Sequence, residues 1–379
     1  MWRRGERLYA LLVFLVVVLE AVALGGLGVA LSGRLWGLWG YGTARRALFQ
    51  AFLLTGVSLF FLSAYILLYH AYTEAKELRD RKAYEDWLSR FTQALFGEGA
   101  LPPPPWPRVA LEALLHLREM LQGDLAERVE AWLRQARPSW GRMLRSRFAS
   151  RPARLDALDA LAQARLPETL DLILPYLDHP DPVLRLAAAR AGARVAQGEG
   201  LLALGRAYLR AHLPRGALLE ALLLLEDRAE PVLALLLEEG GREERWAALE
   251  ALGRLKLRNL ASSALAFLED PDPELKAAAM RALLRLGHAP KGHEEVLLAA
   301  LKDEREFLRV HAARLLALLQ NDLARRALWH ALSDPSFYVR RAAAEGLMRL
   351  DPALLAQAAH KHPDPYGRAM AQQLLQEAA

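Results

Sequence analysis

The chain has 379 residues, a formal charge of +5, 53% hydrophobic residues and no cysteine. That length allows two or three folded units with ample chain to bury a core. Lack of cysteine excludes disulfide scaffolds, thiolate metal sites, iron–sulfur clusters and cysteine nucleophiles. Only seven of the 49 basic residues are lysine, an arginine- and leucine-rich usage typical of a GC-rich bacterium.

Residues 8–31 form an apolar run of 24 residues broken only by Glu20, and residues 47–71 form a second run of 25 without a formal charge. Each is long enough at 1.5 Å rise per residue to span a bilayer core. The connection between them carries Trp36, Trp39 and Tyr41, which suit the headgroup level. The predicted element is a two-helix transmembrane hairpin over residues 1–71. Arg3, Arg4 and Arg7 precede it, Lys76, Arg79, Arg81 and Lys82 follow it, and the connecting loop holds Arg34, Arg45 and Arg46. Seven positive charges against three place both termini on the cytoplasmic side of a bacterial inner membrane. A secretory signal cleaved after Ala21-Val22-Ala23 is the rival reading. Glu20, near the middle of the first span, must be protonated, paired with a donor on another membrane protein, or shallower than the run suggests.

Residues 72–107 read as a juxtamembrane helix continuing the second span, stopped at Gly97 and Gly99, then a stiff proline-rich linker, Leu101-Pro102-Pro103-Pro104-Pro105-Trp106-Pro107. Residues 108–150 form a helical, arginine-rich connector. Two short helices break near Gln122-Gly123-Asp124, with Pro138 closing the second. Arg134 to Arg154 holds seven arginines and no acid, with Trp140 and Phe148 between them, and Arg142, Arg145, Arg147 and Arg151 are candidates for binding anionic lipid or phosphate.

From residue 151 to 379 the chain repeats itself. Arg154, Arg185, Arg215, Arg245, Lys276, Arg309, Arg340 and Arg368 recur at intervals of 28 to 33 residues. Three positions after each anchor seven of eight residues are alanine, and seven positions after seven of eight are leucine. Offsets 0, 3, 7 and 10 share one helical stripe, so each anchor opens a helix that buries it. Leu177, Leu237, Leu268, Leu301 and Leu332, eight positions before their anchors, end a preceding helix. Turns such as Asp178-His179-Pro180-Asp181-Pro182 lie between the two.

A thirty-residue unit of helix, Asp-Pro turn and basic-anchored helix resembles the HEAT repeat in its short bacterial form. The resemblance implies an all-α fold: the hairpin followed by a right-handed α-solenoid of HEAT repeats, armadillo-like, with second helices lining a concave surface. It implies a scaffold or regulatory subunit without catalysis. Membrane-tethered bacterial HEAT proteins imply an accessory role beside another integral membrane protein, such as an envelope glycosyltransferase or polysaccharide-assembly complex. Nucleic-acid-binding HEAT proteins and phycobilisome-lyase types are the alternatives.

Offsets five and nine point away from the buried stripe. They place Arg190, Arg194, Arg254, Arg281, Arg285, Arg314 and Arg349 in a row that could receive an acidic partner, with Glu220, Glu250 and Glu345 interspersed as part of a solvated face. Walker, nucleophile-elbow and HExxH patterns are missing, and His360 with His362 lacks a third ligand nearby. The expectation is no enzyme activity, cofactor, metal, nucleic acid or small-molecule substrate, with a membrane protein and membrane lipids as partners. Residues 1–71 carry six arginines and two glutamates, so most of the net charge is a topology signal and the rest is nearly neutral.

Overall fold

The computed structural model describes residues 41–378 and, ahead of them, Val18, Val22 and Gly26. Glu20 and the rest of the first apolar run lie outside the described residues. Among those described, every regular element is helical. The chain divides into two compact units, residues 1–139 with 147–153, and residues 140–146 with 154–379.

In the first unit α1, Tyr41–Leu95, is a single helix of 55 residues. It carries the second apolar run into the charged segment without a break, because no proline or helix-stopping pair interrupts it before Gly97, whose φ is +80°. The stretch from Thr55 is long and apolar enough to cross a membrane, and little of it is buried. Leu67 and Leu68 are each 70% exposed. At the far end Phe91 and Leu95 are fully buried against α2, Arg108–Met120, and α3, Asp124–Arg134. Phe91 meets the Trp87, Trp106 and Trp132 rings at 5.4, 5.8 and 6.2 Å. The Trp106 indole N–H donates to the Pro102 carbonyl at 2.9 Å, so the proline-rich segment folds back into this cluster instead of acting as a spacer. Pro138 does not close α3. It sits in the first turn of α4, Arg137–Arg145, where a proline's missing N–H costs nothing.

The second unit is a two-layer stack. Its second helices are α5, Arg151–Ala164, α7, Pro182–Val195, α9, Arg215–Leu223, α11, Arg242–Leu255, α13, Pro273–Leu286, α15, Glu306–Leu316, α17, Phe337–Leu350, and α19, Pro365–Ala378. From α7 onward each packs on the next. The first helices are α6, Leu170–Ile173, α8, Glu199–Ala211, α10, Glu230–Glu239, α12, Ala261–Ala266, α14, Glu294–Ala300, α16, Asp322–Ala331, and α18, Pro352–Lys361. Two of them are shorter than the repeat leads one to expect. Around α6 and α12 the first helix is one or two turns flanked by 3₁₀ segments, so Leu177 and Leu268 end 3₁₀ turns, still fully buried.

The residue at offset three is buried in every repeat, and at offset seven Leu161, Leu222, Leu252, Leu283, Leu316 and Leu347 are fully buried. Each such leucine contributes about 1.5–3 kcal/mol of transfer free energy. In α19, the last helix described, Leu375 is partly exposed and Ala378 exposed. Asp181 and Asp272 cap α7 and α13 by accepting from Val183 and Glu274 N–H at 2.9 and 2.8 Å, and Ser336 caps α17.

The anchor arginines hold the turns. Arg185 donates to the His179 carbonyl, Arg309 to Asp303 and Glu304, Arg340 to Asp334 and Pro335, and Arg368 to His362 and Pro363. Each spans five or six residues back, onto carbonyls left unpaired where the first helix ends. Arg309 also reaches the next turn, with Nε and Nη2 donating to the Asp334 carboxylate at 2.9 and 3.2 Å.

Candidate partner-binding face

Offset five of successive second helices reads Arg190, Glu220, Glu250, Arg281, Arg314, Glu345. Equivalent positions on neighbouring helices lie side by side, so these are three prospective ion pairs. The first closes, with Arg190 Nη2 2.8 Å from Glu220 Oε2, half exposed on both sides. The second closes deeply. Glu250, read from sequence as part of a solvated face, is only 2% exposed. Arg281 Nε donates to its Oε1 at 2.5 Å and Arg285 Nη1 to its Oε2 at 2.7 Å, with Arg254 at 3.8 Å. Burial alone would raise this carboxyl, but the hydrogen bonds from Arg285 and Arg281 hold it below the usual carboxylate range.

The third pair does not close. Glu345 accepts from Arg341 Nε of its own helix at 2.9 Å, and Arg341 also reaches Glu377 on α19 at 3.1 Å. Among the described residues, Arg314 is left exposed without a carboxylate, as is Arg349 on α17, and Arg194 on α7 also has no ion pair.

Arg281, Arg285, Arg314 and Arg349 converge on one half-open cleft of about 410 Å³ between α13, α15 and α17. His311 and Glu345 line it too, with Leu284, Ala317, Ala342 and Gly346 supplying apolar wall. The His311 ring is neutral at neutral pH, because burial and then the charges of Arg281 and Arg314 push it down to about 4. Its Nδ1 is buried without a hydrogen-bond partner. Gly253 explains how the cleft's rear is held: a Cβ there would stand 2.8 Å from Ala282 Cα and 3.3 Å from Arg285 Cδ, so only glycine lets α11 approach α13 this closely. The cleft thus brings together four guanidinium groups, one carboxylate already engaged elsewhere and a neutral imidazole.

The seven arginines expected to form one uniform stripe are therefore of two kinds. Arg190, Arg254, Arg281 and Arg285 are engaged by glutamates, whereas Arg194, Arg314 and Arg349 are not. Glu250 and His311 were the residues that sequence reasoning missed. The signal available for Glu250 was the opposite sign of Arg281 at offset five of the next repeat; nothing in the sequence pattern marked His311.

In the connector, Arg142, Arg145, Arg147 and Arg151 are all exposed. The two interleaved aromatics differ: Phe148 is 99% exposed, while Trp140 is buried and does not join a lipid-facing surface. Arg145 Nε turns to the Gly141 carbonyl at 3.2 Å. The His360–His362 pair is structural, because His362 is buried against Trp329 at 5.0 Å and its Nε2 lies 3.1 Å from the Trp329 carbonyl. Among the described residues no cluster of His, Asp and Glu could hold a metal ion.

Residues 294–376 match the family model for HEAT repeats. Similar solved structures include Kap121p, 12% identical over 93% of this chain and 39% of that one, with a TM-score of 0.46. An engineered protein is 17% identical over 78% of this chain and 94% of its own, with a TM-score of 0.39. A designed armadillo repeat protein in complex with the peptide (KR)4 is 18% identical over 56% and 99%, with a TM-score of 0.33. No curated protein matches the chain.

Proposed function

We propose that this chain is a membrane-anchored scaffold or regulatory subunit, with its HEAT-repeat unit in the cytoplasm, and that it binds another integral membrane protein. The observation that carries the reading is the contrast along α1, where Phe60, Phe61, Leu67 and Leu68 stand exposed while Phe91 and Leu95 are buried. Exposed aromatic and leucine side chains on an uncharged helical stretch as long as residues 47–71 are stable in lipid and costly in water. The positive residues Lys76, Arg79, Arg81 and Lys82 that follow favour the cytoplasmic side for everything C-terminal to them. The repeat fold supports a protein-binding role, since its second-helix face offers exposed arginines and a cleft. A role beside an envelope glycosyltransferase or polysaccharide-assembly complex is the specific form of this reading. Arg142, Arg145, Arg147 and Arg151 would add contact with anionic headgroups.

Alkaline extraction and protease protection of the full-length protein test the reading. Retention in the membrane pellet at high pH, with the repeat unit digested only when the cytoplasmic side is opened, is the expected result. Release into the supernatant would overturn it.

A further inference from the structure

We infer that the cleft between α13, α15 and α17 receives a carboxylate-rich segment of the protein partner, one of whose acidic side chains completes the open pair at Arg314; the inference rests on the scaffold reading above. Three observations lead there. Of three register-equivalent ion pairs, two are closed within the chain, and the third is open because Glu345 is taken by Arg341. Arg349, also without a carboxylate, stands on the same cleft, so two guanidinium groups are available within one site of about 410 Å³. Arg281 and Arg285, fixed by Glu250, supply positive charge from the opposite wall without being free to collapse into the space.

The chemistry favours a peptide over other anions. A nucleic acid tracks many phosphates along a continuous basic path, and Glu220 and Glu250 interrupt this face before the cleft is reached. Leu284, Ala317 and Ala342 line the cleft with apolar surface that an acidic peptide's methylene and neighbouring side chains can cover.

The test uses full-length protein in detergent and a fluorescein-labelled peptide with a central run of six glutamates, followed by anisotropy. Replacing Arg314 and Arg349 together by alanine is expected to weaken binding by about tenfold or more. Replacing Arg206 and Arg210, exposed on α8 and not part of the cleft lining, should leave it unchanged. Because Arg314 and Arg349 have no carboxylate partner, the thermal unfolding of their double variant should match the parent, which separates lost binding from lost folding. The inference is overturned if the double variant binds the peptide as tightly as the parent. It is equally overturned if an oligothymidylate binds at least as well through the same two arginines, or if inorganic phosphate displaces the peptide completely at low millimolar concentration. The two readings fail separately. A peptide that does not bind, with the protein still resistant to alkaline extraction and still recovering a membrane partner, removes the cleft assignment alone.

Discussion

Two edges of the repeat unit use arginine in opposite ways. Along the turns, anchor arginines such as Arg185, Arg309, Arg340 and Arg368 are spent on backbone carbonyls at helix ends, and Arg309 adds the carboxylate of the next turn. Along the second helices the arginines meet side chains instead, and where a carboxylate is diverted, as Glu345 is, the guanidinium stays open to solvent. The turn row stabilises the stack; in the other, Arg314 and Arg349 carry charge that the stack does not use. Residue type alone could not separate them, since arginine occurs in both rows.

The strongest way to break this comparison is at Arg309, which is 14% exposed beside an Asp334 that is 10% exposed. Arg309→Ala leaves a buried carboxylate and two turn carbonyls without their donor, and should cost about 3 kcal/mol of unfolding free energy in a urea titration. A loss below about 0.5 kcal/mol would mean that the turn edge is as dispensable as the open face.

Glu250 is the place where the face behaves like the turn edge. Glu250→Gln should cost about 2 kcal/mol, since the amide keeps one acceptor oxygen but removes the charge and the second oxygen that Arg281 and Arg285 use. Its folded pKa is depressed, so the stability it supplies is present above the unfolded carboxyl value of 4.5 and is lost as pH falls through the folded value. The stability difference between parent and variant should therefore be flat near neutrality and shrink only in acid.

Gly253→Ala is expected to cost about 1 kcal/mol by pressing a Cβ on the α13 backbone. A rise in stability, from reduced unfolded-state entropy, would show that the close approach is not needed.

His311 gives a smaller, pH-shaped effect. With a folded pKa of about 4 against 6.5 unfolded, it takes up its proton only on unfolding, so stability falls as pH drops from about 6.5 toward 4. His311→Gln should flatten that part of the profile. Smallest of all, Arg314→Ala and Arg349→Ala should each change stability by less than about 0.5 kcal/mol.

The repeat fold was legible because its evidence is periodic: basic anchor, alanine and leucine at fixed offsets on eight helices, most of them buried as expected. The shortened first helices around α6 and α12 were not, because Leu177 and Leu268 occupy the same buried position whether the chain before them is α-helical or 3₁₀. The buried state of Glu250 was hidden for a related reason. A single sequence places it at offset five with Glu220 and Glu345, and only the packing of α11 on α13, through Gly253, brings Arg281 and Arg285 over it. Trp140 followed its arginine neighbours in sequence but packs inward in space.

On the proposed function, α1 and the open face engage the same membrane partner, and one comparison tests that directly. The full-length protein and its Arg314→Ala/Arg349→Ala variant are purified in mild detergent from matched membranes, and the co-purifying proteins are quantified. The account predicts an integral membrane protein with an acidic segment recovered by the parent and strongly depleted with the variant, at equal yield of folded scaffold. Equal recovery by both forms would contradict it.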